Sequence, residues 1–342
     1  MKHFRISFLV TIILLGLSAW WGYSHGGVAG ATQAFFIASI LAIMEISLSF
    51  DNAVVNASVL RTWNPFWQKL FLTVGIIVAV FGMRLVFPIL IVSIATGLGL
   101  FDVMSMALNT PDEYARHLTD NHAQVAAFGG AFLLLVFLNF LFDQDKELHW
   151  LGWVEEKLGA HGTEGLSTLL ALVAVFVCMT LVPEVHQLSV LMAGVGGIAV
   201  YLAVGFLSGL LEQEEHDPVI GEAIKRGSIG GFLYLEVLDA SFSFDGVIGA
   251  FAITSDVVII MLGLAIGAMF VRSMTVFLVH KGTLEEFVFL EHGAHYAIGI
   301  LALIMLASVK FHIPEWFTGL SGVAFIGLSL WSSVHYKRKN AT

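Results

Sequence analysis

Ten stretches of about twenty mostly apolar residues follow one another along the chain: 6–23, 32–59, 70–99, 124–142, 166–183, 187–211, 230–253, 256–279, 294–309 and 315–334. Each is long enough to cross a bilayer as a helix. Period-2 segments, the mark of an outer-membrane barrel, do not occur in the sequence. The expected fold is therefore all-α, a membrane bundle of about ten transmembrane helices. Composition agrees, because with 58% hydrophobic and 12% charged residues there is too little polar side chain to cover a water-facing surface. The single Cys178 excludes a disulfide scaffold and a thiolate metal cluster. Pro88, inside the long 70–99 stretch, predicts a kink there or a short second piece at its end.

Basic residues orient the helices. With the N-terminus inside, twelve of the 16 Lys and Arg residues fall in inner segments, including Lys2, Arg5, Arg61, Lys146 and the tail Lys337-Arg338-Lys339. Only Arg116 and Lys310 fall outside, and Arg84 and Arg272 lie within spans. An even number of helices with both termini cytoplasmic is expected. The start, Met1-Lys2-His3-Phe4-Arg5, resembles the positive end of a signal peptide and is read as an uncleaved anchor. Three connections read as solvated loops. The outer one, 100–123, carries Asp102, Asp112, Glu113, Asp120 and His122. The inner 143–165 segment has Trp150 and Trp153 suited to the interface. The inner 212–229 segment gathers Glu212, Glu214, Glu215, His216 and Asp217.

Carboxylates inside spans are expensive and face a partner or a polar cavity. The second span carries Glu45, Ser49, Asp51 and Asn52; the seventh carries Glu236, Asp239, Ser243 and Asp245. Aligned, Ser47-Leu-Ser49-Phe50-Asp51-Asn52 matches Ser241-Phe-Ser243-Phe244-Asp245-Gly246, with Glu45 opposite Asp239. Each acidic span is followed by one with a single arginine, Arg84 or Arg272, nine residues after Gly75 or Gly263. The rare residues align, so an internal repeat is expected, and the topology makes it an inverted one of the kind transporters use. On an ideal helix Glu45, Ser49 and Asn52 share a face while Asp51 points elsewhere. Either both faces meet partners or the helix unwinds near Ser-Phe-Asp.

The carboxylates Glu45, Asp51, Glu236, Asp239 and Asp245, with Asn52 and the hydroxyls of Ser49 and Ser243, form an all-oxygen set suited to a hard divalent ion such as Mn²⁺, Mg²⁺ or Ca²⁺. Arg84 and Arg272 would offset the negative charge when the ion is absent. The plainer alternative pairs these arginines with Asp51 and Asp245 as buried salt bridges.

The Ser-Phe-Asp51-Asn52-Ala53-Val54-Val55 run, the later Glu236-Val-Leu-Asp239-Ala-Ser-Phe-Ser-Phe-Asp245 and the arginine helices together resemble the TerC family of bacterial membrane proteins over about residues 35–310. Gly246 stands where that family carries serine, and the 100–123 and 143–165 segments are longer, as in a divergent branch. The resemblance implies a protein of the bacterial inner membrane that exports a divalent cation, chiefly Mn²⁺. It also implies a link to metalation of secreted proteins and to tellurium resistance. Counting charge at the acids gives a net negative site, for which a proton antiport through Glu45 or Glu236 is an expectation. No organic cofactor and no nucleic-acid partner is expected.

The chain divides into an N-terminal anchor (1–30), a first repeat (31–142), central helices and cytoplasmic loops (143–229), a second repeat (230–310), and a C-terminal helix with basic tail (311–342). Other classes fit less well. An intramembrane aspartyl enzyme lacks its Gly-x-Gly-Asp element, and no serine-hydrolase, zinc-protease or phosphate-loop motif occurs in the sequence. A scaffold that delivers metal without transporting it stays open.

Overall fold

The computed structural model describes residues 4–75, 77–144, 146, 148–160, 162, 164–211, 227–281 and 287–340. Among the described residues the chain is helical throughout its regular structure, with no strand. Six helices are long and apolar enough to cross a membrane, or up to eight spans if each of two bent pairs counts as one. The acids of the 212–226 segment lie outside the described residues.

The first helix, α1 (Arg5–Leu48), turns back on itself at Gly26 (φ −146°, ψ 20°) and Gly27 (φ 59°, ψ −148°). Gly27 holds a positive φ that a side chain would resist. The two arms then meet. Ser18 Oγ donates to the Ala34 carbonyl at 2.9 Å, and a Cβ on Gly22 would lie 2.3 Å from the Gly30 oxygen. Each arm, at 1.5 Å per residue, reaches about 30 Å. The 6–23 and 32–59 stretches thus fall on separate arms, and the second is interrupted at Ser49 (φ −100°, ψ 18°) before α2 (Phe50–Leu60).

The 70–99 stretch is also broken. Helix α3 (Pro65–Leu70) runs into π-helical turns at Phe71–Gly75 and Val78–Val86, then into α4 (Phe87–Thr96). The bend is 41° and lies between Gly75 and Val78, not at Pro88 as the sequence predicts. Proline kinks a helix by clashing with the carbonyl four residues back; the wider π turns ahead of Pro88 leave room for its ring.

The 100–123 segment is not a solvated loop. It forms α5 (Leu100–Asn109) and α6 (Pro111–Asp120), which bury Val103, Ala107, Tyr114 and Leu118 in one core cluster with Ile89, Val92, Val125, Val247 and Ala250. Burial pushes the Tyr114 phenol well above its usual range. Next come α7 (His122–Leu141), the short α8 (Trp153–Ala160), α9 (Glu164–Leu181) and α10 (Glu184–Leu211). Helix α8 meets α9 at 101°. It turns Trp153 outward while Glu155 on its other side is fully buried. A helix across the bundle direction with an exposed tryptophan has the form of an interfacial anchor.

Four helices complete the fold: α11 (Ile229–Ile253), α12 (Val257–Lys281), α13 (Leu290–Ser308) and α14 (Glu315–Asn340). Their packing is reciprocal. The second arm of α1, with Glu45, lies against Gly263 and Gly267 of α12, the Arg272 helix, so closely that added Cβ atoms would overlap Leu41 and Glu45. Helix α11, with Glu236, lies against Gly75 of the Arg84 segment. The Glu45 arm therefore rests on the Arg272 helix and the Glu236 helix on the Arg84 segment, and small residues allow the approach.

The hairpin gives a direct test. Gly22→Leu should destabilise the purified protein by about 1–3 kcal/mol through overpacking, read as a lower unfolding temperature in detergent. Gly16→Leu on the same arm, where a Cβ meets nothing within 4 Å, should leave it unchanged.

Candidate functional site

The breaks in the second arm and in the Arg84 segment lie beside each other, and a polar cavity opens between them. It offers about 40 Å³ to water-sized occupants, room for an ion with a water or two at ~10–15 Å³ each. Ser49, Asn52 and Asn56 line it from the first acidic segment. Gly75, Ala79 and Arg84 line it from the broken span, Asp239 from α11, and Arg272 and Thr275 from α12.

Glu45, 1% exposed, sits at one edge. Its Oε1 accepts from Arg84 Nη2 and from Ser49 Oγ at 3.0 Å. Arg84 Nη1 donates to the Ala79 carbonyl at 2.6 Å, while its buried Nε has no partner. Arg272 reaches across from α12, and its Nε donates to the Leu72 carbonyl at 2.9 Å. Both arginines thus satisfy backbone oxygens of the broken span. Among the described residues neither pairs with Asp51, as the plainer sequence alternative has it for one of them; their described partners are Glu45 and backbone.

On the other side Asn56 Nδ2 approaches Asp239 Oδ1 at 3.5 Å, a weak contact, and Asn56 Oδ1 is buried without a donor. Glu236 is 5% exposed, and both its carboxylate oxygens lack partners. One of them lies where a Cβ on Gly75 would be 2.7 Å away. Buried polar atoms are nearly always paired, so unpartnered oxygens on two neighbouring side chains point to a missing positive partner. Ser243 is buried with an unpartnered hydroxyl. The Asp245 side chain lies outside the described residues.

Asp51 faces away from the cavity. A Cβ on Gly322 of α14 would be 2.3 Å from its Oδ2, and its Oδ1 accepts the Asn52 amide at 3.0 Å. Both sequence alternatives hold at once, since the helix is interrupted at Ser49 and both its faces meet partners. Gly246 leaves the space that Glu45 Oε2 fills, 2.8 Å from where a Cβ would stand.

Sequence reasoning missed Asn56 and Thr275, and saw Gly75 only as a repeat marker. Asn56 was within reach, one helical turn beyond Asn52. Among the described residues no three His, Cys, Asp or Glu groups are placed to hold one metal ion. Oxygens of amides and hydroxyls would have to complete any coordination shell.

A second polar cluster lies under α8. Glu155 Oε1 accepts from Tyr296 Oη at 2.7 Å, and its Oε2 stands 3.8 Å from His292 Nε2, which donates to the Leu148 carbonyl. Arg61 pairs with Glu291 at 2.8 Å. Lys146 lies over the Phe140 ring. Its burial pushes the ammonium below the usual lysine range against the pull of Glu155, Asp143 and Glu291.

Residues 50–340 match a family described as a protein of unknown function, DUF475. The chain belongs to the DUF475 family. The DUF475 match takes in Asn52, Arg84, Asp239 and Arg272 and reaches through α14, but it begins after the hairpin and Glu45. No curated protein and no solved structure matches the chain.

The two glutamates should behave oppositely in metal-free protein. Glu45→Gln leaves Arg84 buried without a counter-charge and should cost about 3–5 kcal/mol. Glu236→Gln removes a buried carboxylate that has no partner and should leave stability unchanged or raised. Thermal unfolding in detergent with chelator separates the two.

Proposed function

We propose that this DUF475 protein is a membrane transporter for a divalent cation, with Mn²⁺ as the cargo its TerC resemblance indicates. The observation that carries the reading is the cavity between the interrupted 45–56 and Arg84 segments and helices α11 and α12, bordered by buried oxygens that lack partners. Asp239, Asn52, Asn56 and Ser49 are the proposed cargo ligands, joined by Glu236 and Asp245. Such oxygens suit hard cations. Asp51, turned to α14, is assigned to packing between that helix and α2.

The reciprocal rest of each acidic helix on the other half's arginine segment supports the inverted repeat, and with it alternating access. The α1 hairpin supports a ten-pass count with both termini on the cytoplasmic side of the bacterial inner membrane. Metal delivery without transport is the rival, and it differs in one respect: it binds but does not move the ion.

Two measurements test this. Proteoliposomes containing the protein should take up Mn²⁺, and Asp239→Asn should weaken Mn²⁺ binding by about 1–3 kcal/mol, roughly five- to 150-fold, and slow uptake with it. Binding without any flux would leave the delivery role in its place. For topology, the only native thiol, Cys178, is buried and gives a silent background. A cysteine at exposed Thr119 should react with an impermeant reagent from outside the cell, and one at exposed Glu156 should not. The reverse pattern would remove the inward bias on which the antiparallel repeat rests.

A further inference from the structure

The Arg84–Glu45 pair is an unusual buried ion pair. A guanidinium carries five donors in a rigid fork, and a buried pair is favourable only when the remaining donors are satisfied too. Arg84 meets Glu45 through one nitrogen and the Ala79 carbonyl through another, and its Nε is buried and idle. It also lines a cavity in which Asn56 Oδ1 has no donor, beside a Glu236 carboxylate with no partner at all. One cation is therefore incompletely used while oxygens bordering the same space go without one.

We infer that Arg84 is an internal counter-ion that exchanges with the cargo: a divalent cation entering the cavity draws on oxygens around Glu45 and Asp239, and the guanidinium is displaced from Glu45 as it binds. This rests on the transporter reading and adds the regulation of its site. The exchange has a structural consequence. Arg84 also holds the Ala79 carbonyl within the π-helical turns of Val78–Val86, so its displacement releases one of the two arginine clamps on the broken span. Arg272, on the Leu72 carbonyl, keeps the other. Loading and loosening of the broken span are thereby linked through one side chain. The same competition prevents the emptied site from standing as an uncompensated anion, and so favours release of cargo.

The test is equilibrium binding of Mn²⁺ to purified protein, with flux in proteoliposomes. Arg84→Ala removes the competitor and should tighten Mn²⁺ binding by about tenfold or more while slowing flux, because the bound ion is no longer displaced. Guanidinium ion in the millimolar range should weaken Mn²⁺ binding to Arg84→Ala and leave the wild type unaffected, a response that a merely structural arginine would not give. Should Arg84→Ala fail to fold, the wild type still decides: hydrogen exchange in residues 78–86 should rise when Mn²⁺ is added. Wild-type binding that is unchanged or weakened by Arg84→Ala, or slower exchange in 78–86 on loading, would overturn the exchange role and leave the transporter reading standing. No Mn²⁺ binding in either protein would remove both.

Discussion

The contact between Glu45 and Arg84 ties the returning arm of α1 to the broken span. Glu45 lies at the end of the returning arm of α1, just before the interruption at Ser49. Arg84 lies in the π-helical turns of the broken span. Neither charge is tolerable in its surroundings alone, since an isolated buried ion costs many kcal/mol and even a paired one needs good geometry. Because each requires the other, the arm and the broken span are held in register. The glycines of α12 and Gly246 of α11 then fit around the pair: Gly267 lies against the Glu45 stem and Gly246 against its carboxylate. Small residues at these positions follow from the space the ion pair occupies.

The broken span shows how backbone and side chains share one task. Away from water, every carbonyl released from a helix must find another donor. The π turns and the bend between Gly75 and Val78 depart from regular α bonding, and two arginines add donors there, Arg84 to Ala79 and Arg272 to Leu72. The arginines that stand out in the sequence as charge balance for the acids therefore have a second office as caps for irregular backbone.

Much of this was legible in the sequence. The apolar stretches gave the helices, because length and hydropathy are properties of a segment alone. The aligned rare residues marked where polar groups would gather, and five of them, Ser49, Asn52, Arg84, Asp239 and Arg272, line one cavity. What failed was whatever depended on a neighbouring helix. Asp51 sits in the same run as Asn52 yet faces Gly322 of α14, a helix far along the chain. The bend predicted at Pro88 lies nearer Gly75, because π turns accommodate the proline ring. The 100–123 segment looked polar enough for a loop, but the apolar positions Val103, Ala107, Tyr114 and Leu118 fall on the buried sides of two short helices. A count of charges does not reveal that pattern.

The family match begins at residue 50, whereas the hairpin formed around Gly26 and Gly27 ends with Leu48. Arg84 lies inside the match and its carboxylate just ahead of it. The hairpin acts as a tether for charge: its returning arm carries the anion that lets Arg84 stay charged in an apolar interior, so whatever shifts that arm also shifts where a positive charge can stand.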